Sequence, residues 1–522
     1  MRGPYSMTRR GLIGGSVATL ASSATGAFTH SKFRKSMVHG RVFDAGSLNK
    51  KGLDGVLVSN GVEVAKTTSE GFYSLPTRRD VFIIKPSNWS VPVEEATGLP
   101  AFASTHSTFA NNKPESDAGA QDVETQKSLD FNLRYIQEPR RFSAALYADP
   151  QPADKLELTY LRRAMDKMSA RKDFAFGLAL GDIASDDLTI FPDYLAQASR
   201  LGIPVWHIPG NHDHDVGEQT SHDRLKTWRK TFGPPTYAFE YSGALFIMLD
   251  NVCVRDGGSY FGHIGPNGLN FVRNLLELTH PEKLVVVCTH IPLTSSHNDD
   301  SSCTTSDTSA LLELIDGRKA VSFSGHMHTS EHHYIPYAGG AHHHQVISAL
   351  SGSWWSGPMD KEGLPLSIAS DGTPHGWHAL TIDGDDYHTE FIPARHDACG
   401  RVIASFAEQS RPTGLQLEAV TDFPENRVLV NVFDGGPRTK VFLDLGGERY
   451  QLRRVSAFDP YTTSIFSGAR ETIKYWVNPE LCSHLWMLDM NSYSNIDLNE
   501  ARLTIVDEYG RLRLDEVELL TG

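Results

Sequence analysis

Five short stretches of the chain carry residue types that hold metal ions. "YADPQ" supplies Asp149 and Gln151, "LGDIASDD" supplies Asp182 and Asp186, and "PGNHD" supplies Asn211 and His212. "CTH" supplies His290, and "SGHMH" supplies His326 and His328. Carboxylates and amide oxygens suit hard ions such as Mn²⁺, and imidazoles widen the choice to Fe and Zn. Each stretch alone says little. A Gly-Asp after an apolar run is usually a turn, a His-x-His is commonly a solvated pair, and Asn211 read singly is a turn residue. The ordered set says more, because packing alone would favour apolar or capping residues at these places.

The elements that must position these residues can be read from periodicity. "FSAALYAD" is an apolar strand, and "PADKLELTYLRRAMDKM" follows with Leu158, Leu161, Met165 and Met168 at helical spacing. "FAFGLALGD" is the next strand, "FPDYLAQASRLG" a helix closed by Gly202, and "IPVWHIPGNHD" another strand. Later come the strands "ALFIMLD", "KLVVVCTH" and "KAVSFSGHMH", with helices in "GLNFVRNLLEL" and "TSALLELID". The alternation predicts right-handed βαβ units around a largely parallel sheet covered on both faces. Every metal-capable group then falls at a strand's carboxyl end, where open α/β sheets bind ligands. Before this region, residues 36–135 read as a β-sandwich with "SNG" and "SEG" hairpin turns and a polar linker. Residues 140–398 hold the motifs. Residues 399–522 read as a third, β-rich domain without helical periodicity.

The 522 residues exceed one ordinary domain, and 40% hydrophobic with 21% charged residues is a globular composition. A net charge of -14 argues against nucleic acid as a partner, since phosphate contacts need Lys and Arg. Five scattered cysteines without a CxxC exclude a disulfide framework and a structural zinc site. Residues 1–30 place Arg9 and Arg10 before a mild Gly/Ala/Ser-rich apolar run, with small residues near Ala24 and Ala27. That pattern resembles a twin-arginine signal and predicts a periplasmic or extracellular protein. No other stretch approaches the ~18 apolar residues of a membrane span.

The series D-x-Q, GD, GNHD, TH, GHMH resembles the calcineurin-like metallophosphoesterases over about Phe142 to Phe391. "VHGRVFD", "GVLVSNG" and "TTSEGFYSL" resemble the N-terminal β-domain of one exported bacterial branch. "GSWWSGP", "SDGTPHGW", "VNVFDGG" and "DEYG" resemble that branch's C-terminal domain. The resemblance implies an α/β fold with a metallophosphatase-type layered β-sheet core and helices outside, flanked by the two β-domains. It also implies two divalent ions about 3.5–4 Å apart, most simply Mn²⁺ with Fe or Zn as alternatives. Asp149, Gln151, Asp182 and His328 would hold the first; Asp182 would bridge to the second, completed by Asn211, His290 and His326. His212 would stand beside them as the catalytic acid, oriented by Asp186. Two positions depart from the commoner pattern. Gln151 stands where histidine is usual, and Asp186 lies one place beyond the usual aspartate, at Ser185 here.

The implied reaction is hydrolysis of a phosphate mono- or diester by hydroxide generated between the metals, with His212 protonating the leaving group. Trp354, Trp355 and Asp371 are candidates for contacting a sugar, nucleoside or lipid headgroup, with core packing as the competing reading. Asp213 is expected to support its turn. His207, His214 and Asp215 are expected behind the ligands or in solvent. His342 to His344 are expected to form a solvated strand entrance. The rival function is a non-catalytic exported surface or carbohydrate-binding protein on a decayed site, against which stand the remaining ligands and His212.

Overall fold

The computed structural model describes residues 36–105, 128–215, 224–255, 258–296, 300–395, 400–405, 427–445, 447–490, 502–514 and 517–520. The signal-like segment, most of the polar linker and Cys399 lie outside the described residues.

The motif-bearing region is two facing sheets with helices outside. Sheet one comprises β1 (Arg141–Tyr147), β2 (Phe174–Ala179) and β3 (Val205–His207), joined through α1 (Lys155–Ala170) and α2 (Phe191–Ala198). A short helix, α3 (Lys226–Phe232), leads to sheet two. That sheet comprises β4 (Tyr237–Tyr241), β5 (Ala244–Met248), β6 (Val285–Cys288), β7 (Ala320–Ser324), β8 (Glu331–Tyr337) and β9 (Gly340–Val346). Its helices are α4 (Gly265–Leu278) and α5 (Thr308–Leu314). The chain returns to sheet one with β10 (Gly376–Asp383) and β11 (Asp386–Pro393). Sheet one runs β3-β2-β1-β10-β11 and sheet two β4-β5-β6-β7-β9-β8. β1, β2 and β3 are mutually parallel, as are β5, β6, β7 and β9, so the motif-bearing ends of each sheet emerge on one edge.

Alternation sorts the side chains of β1. Phe142, Ala144 and Leu146 face sheet two, whereas Ala145 and Tyr147 face the helices. Between the sheets Phe176 meets Phe246 edge-on at 5.2 Å and Trp206 stacks on Phe239 at 4.1 Å. Outside, Leu161, Met165 and Met168 of α1 are fully buried, at the spacing the sequence shows. Asp154 starts that helix by accepting the N–H groups of Leu156 and Glu157. Gly202 closes the segment after α2 at φ +69°, a conformation that favours glycine.

Ahead of the core are two four-stranded sheets, one carrying Met37–Asp44 and the other Asp80–Ile84. Their apolar residues merge with the inter-sheet core: Phe82 meets Phe271 of α4 at 5.7 Å. The buried Lys85 ammonium bonds Glu138 at 2.7 Å and the Glu240 carbonyl at 2.6 Å. After the core come a five-stranded and a four-stranded sheet packed on Val430, Val441, Trp486 and Ile505. This part also holds a helix, Pro460–Gly468, capped by Asp459. The sequence shows no helical periodicity here. "PYTTSIFSG" buries only Thr462 and Phe466, too few residues to display a period. Among the described residues no helix is long and apolar enough to cross a membrane.

Candidate metal centre

All five strand ends converge. A donor atom from each of Asp182 (after β2), His290 (after β6) and His326 (after β7) lies within 4.8 Å of the others. His290 Nε2 is 3.0 Å from Asn211 Oδ1 and 3.4 Å from Asp182 Oδ1. The Gln151 amide donates to Asp182 Oδ2 at 2.9 Å, and His328 Nε2 is 3.6 Å from Asp149 Oδ1. The structure therefore brings together Asp149, Gln151, Asp182, Asn211, His290, His326 and His328.

The group fits divalent metal on three observations. Asp149 Oδ1 and Gln151 Oε1 are buried with no hydrogen-bond partner, an expensive arrangement unless something else accepts their lone pairs. His328 Nδ1 donates to the Gly352 carbonyl at 2.6 Å, leaving its Nε2 as the lone-pair side; His290 Nδ1 donates likewise to the Leu180 carbonyl at 2.8 Å, and although burial opposes its charge, Asp182 holds it up at about 9, so its Nε2 gives up a proton when metal binds. Carboxylate, amide and imidazole together form a set that Mn, Fe or Zn accepts.

The backbone is bent to make this set. Asp149, Gln151, Asp182, His326 and His328 all sit at positive φ, between 30° and 76°. Non-glycine residues seldom do so, and such strain gathers at functional sites. Close approach also needs missing side chains. A Cβ at Gly210 would run into Asp182, and one at Gly325 into Asp149. Asp213 ties two of the loops together. Its buried carboxylate accepts from the N–H groups of Ile183 at 2.9 Å, Ala184 at 3.0 Å and Gly210 at 2.8 Å. Asn251 does similar work behind His290, accepting from its N–H at 3.2 Å and from that of Ile291 at 3.1 Å.

Charge is shared unevenly. Burial disfavours a charged Asp182, but His290 and His212 outweigh it and hold the carboxyl below its usual range. Burial, reinforced by Asp182, pushes Asp149 up to about 8. Burial also pushes His326 down to about 3 and His328 down to about 4, keeping them in the neutral form that binds metal. His212 rises to about 9: burial opposes its charge, and Asp182 and Asp186 more than compensate.

His212 Nδ1 donates to Asp186 Oδ1 at 2.7 Å, so the longer loop still delivers its aspartate by turning through φ +68° at Asp186. The imidazole is 32% exposed, with Nε2 4.0 Å from Asp182 Oδ2. Trp354 is half-buried and stacks on His328 at 3.7 Å. Trp355 is buried with its indole N–H on the Pro150 carbonyl. Asp371 is buried and bonded by His484, Ser330 and Thr373. Trp355 and Asp371 thus make their contacts inside the protein.

His207 is buried against Tyr194, and His214 is buried without a hydrogen-bond partner. Asp215 accepts from Thr227 in the first turn of α3. The expected solvated entrance at His342 to His344 is overturned: all three are buried in β9. His342 and His344 both meet the Ser322 hydroxyl at 2.8 Å, while His343 pairs with His332 and Tyr387. Both faces of β9 are covered, which a polar run read locally does not reveal.

Sequence reasoning missed Asn251, which ends the run "FIMLDN", and Tyr260, whose ring stands edge-on to His326 at 5.7 Å. The strand-end position was a usable signal for Asn251; Tyr260 carries none.

Three family models match the chain. The N-terminal domain of calcineurin-like phosphoesterase matches residues 37–117, calcineurin-like phosphoesterase 145–330, and its C-terminal domain 344–512. Among solved structures, a dimetal phosphatase from Danio rerio is similar at 15% identity and TM-score 0.32, covering 48% of this chain and 98% of that one. A purple acid phosphatase from yellow lupin (Lupinus luteus) aligns at 12% identity and TM-score 0.35, covering 50% of this chain and 52% of that one. PhoD aligns at 8% identity and TM-score 0.35, covering 92% and 93%. No curated protein matches.

Proposed function

The chain belongs to the calcineurin-like phosphoesterases, metal-dependent hydrolases of phosphoric esters, and from that premise we propose that it is an exported dinuclear enzyme acting on phosphate mono- or diesters with His212 as general acid. The convergence of the five strand ends carries the reading. Asp149, Gln151, Asp182 and His328 would hold one ion and Asp182, Asn211, His290 and His326 the other, with Mn²⁺ favoured by the oxygen-rich first set. When bound, such ions supply positive charge that acidifies water and neutralises phosphoryl oxygens.

The chain's own residues do the rest. Asp182 reaches both donor sets, Gln151 on one side and His290 on the other, which is why it suits a shared position. Asp186 takes the Nδ1 proton of His212 in a hydrogen bond, so Nε2 is left to donate to the departing alkoxide. Its 32% exposure leaves the ring accessible to a substrate. Asn251 and Asp213 hold the backbone under His290 and Asn211 in register.

The test is His212→Ala. Metal content and fold should be retained while kcat falls about 10²–10⁴-fold on an ester with an alkoxide leaving group, and much less on a nitrophenyl ester, which needs little protonation. Loss of metal would make His212 a ligand. Equal loss on both esters would make it a phosphate-holding group.

A further inference from the structure

Tyr475 and Trp476 are 81% and 48% exposed, yet the loop that carries them is pinned. Arg470 donates to the carbonyls of Val477 and Tyr475, the latter a short contact, and the Asn478 amide donates to that of Trp476 at 3.1 Å. Lys474 binds Glu157 at the start of α1 at 2.7 Å, and the Gly357 N–H bonds the Thr472 carbonyl at 3.0 Å. Rigid backbone that holds large apolar rings in solvent marks a contact surface rather than a packing accident.

These rings continue into the metal centre. Trp476 stands edge-on to Trp354 at 6.3 Å, and Tyr475 edge-on to Trp476 at 4.9 Å. Trp354 in turn lies flat on His328. Trp354 and Trp355 both sit at positive φ, +53° and +54°, which is unusual for bulky residues and costs folding energy. The strain presents Trp354 between the candidate ligand and the C-terminal rings. Tyr260 also stands edge-on to a candidate ligand, His326, at 5.7 Å.

We propose that Trp354, Trp476 and Tyr475 form an aromatic wall that binds the alcohol part of the substrate through a flat ring face, selecting ring-bearing phosphate esters over acyclic ones. The inference rests on the phosphoesterase reading of the centre and adds its substrate class. Aromatic faces stack on the plane of a nucleobase or the C–H face of a sugar, and both sources share that chemistry. A bilayer fits less well: the chain carries a net charge of -14, and Lys474, beside the rings, is already paired with Glu157. The C-terminal domain thereby supplies specificity to a centre whose ligands all lie elsewhere.

The experiment compares hydrolysis of adenosine 5'-phosphate, glucose 1-phosphate and glycerol 3-phosphate by the full chain with Mn²⁺, in wild type, Trp476→Ala and Trp476→Phe. Trp476→Ala should raise KM on the order of 10-fold for at least one ring-bearing ester, change its kcat little, and alter glycerol 3-phosphate hydrolysis less than about twofold. Trp476→Phe should restore most of the loss, and the ester affected separates base from sugar. Saturation-transfer NMR with adenosine, glucose and glycerol reads the wall without turnover. Ring alcohols should give signal that Trp476→Ala abolishes. Equal effects of Trp476→Ala on all three esters, or no ring signal, overturn the wall. Ring binding without hydrolysis of any of these monoesters or of the diester bis(4-nitrophenyl) phosphate overturns the phosphoesterase reading and leaves the wall standing.

Discussion

Asp213→Asn removes one charge from the tie between two ligand-bearing loops while keeping the side chain's shape. In the wild type, Oδ1 accepts from Ile183 and Ala184, and Oδ2 accepts from Gly210 at 2.8 Å and Ile183 at 3.1 Å. An asparagine can keep the Oδ1 pair, but its NH₂ must then face the Gly210 N–H. One buried donor is left unsatisfied, at a cost of about 1–3 kcal/mol. The surviving bonds also lose their charge assistance, about 1 kcal/mol more. The sum, about 2–4 kcal/mol, is a large share of the ~5–15 kcal/mol that holds a protein folded. Burial and Asp182 push Asp213 up to about 7 in the metal-free fold, which disfavours its charge and offsets this loss, so the comparison belongs at pH 8 in protein loaded with Mn²⁺, whose charge counters Asp182. Denaturant unfolding of the Mn²⁺-loaded protein should show the stability loss. Metal analysis should show reduced loading as well, because Gly210 immediately precedes Asn211 and Ile183 immediately follows Asp182. Unchanged stability and full metal content in Asp213→Asn would refute the assignment of Asp213 as the clamp.

Two further outcomes follow from charged groups elsewhere in the chain. His342 is held neutral in the fold, pushed down to about 4 by burial, while the unfolded chain protonates it near 6.5; stability is therefore complete above that pH and falls as pH drops. At pH 5 this one residue costs about 2 kcal/mol, so His342→Gln should shrink the pH 7-to-5 loss of unfolding free energy by that amount, and an unaltered loss would contradict it. Replacing Arg9 and Arg10 with lysine should strand the precursor in the cytoplasm on cell fractionation, whereas unchanged export would show that the pair is not read by a twin-arginine route.

Much of the core was legible because its signals are periodic. Leu158, Leu161, Met165 and Met168 announce α1 at helical spacing, and the apolar runs ending in Asp149, Asp182, His290 and His326 announce parallel strands covered on both faces. What sequence could not supply was pairing between distant segments. The strands divide into two facing sheets rather than one, and nothing in "KLVVVCTH" states that β6 lies beside β5 and β7 instead of β1. The histidines of β9 failed for the same reason. Their polarity suggests water, but the partners that satisfy them, Ser322, His332 and Tyr387, come from three other elements. Asp213 looked like a turn residue, and its three N–H partners lie in two different loops.

The places where local rules break are the places where chemistry gathers. Among the described residues, thirteen non-glycine residues take positive φ. Eight of them are candidate ligands, the His212 partner Asp186, or the tryptophan pair beside His328. A neutral scatter would not concentrate there, since each such residue costs on the order of 1–3 kcal/mol and selection for stability alone would remove it. The strain is offset by the surrounding bonds: Asp213 to three amides, Asn251 under His290, Gly352 on His328. Trp354 is strained like a ligand but offers no ligand atom to the centre, and the rings it meets next are the exposed Trp476 and Tyr475. Strain at the candidate ligands fits a metal centre; on the aromatic-wall proposal, strain at Trp354 fits a ring held against Trp476 and Tyr475.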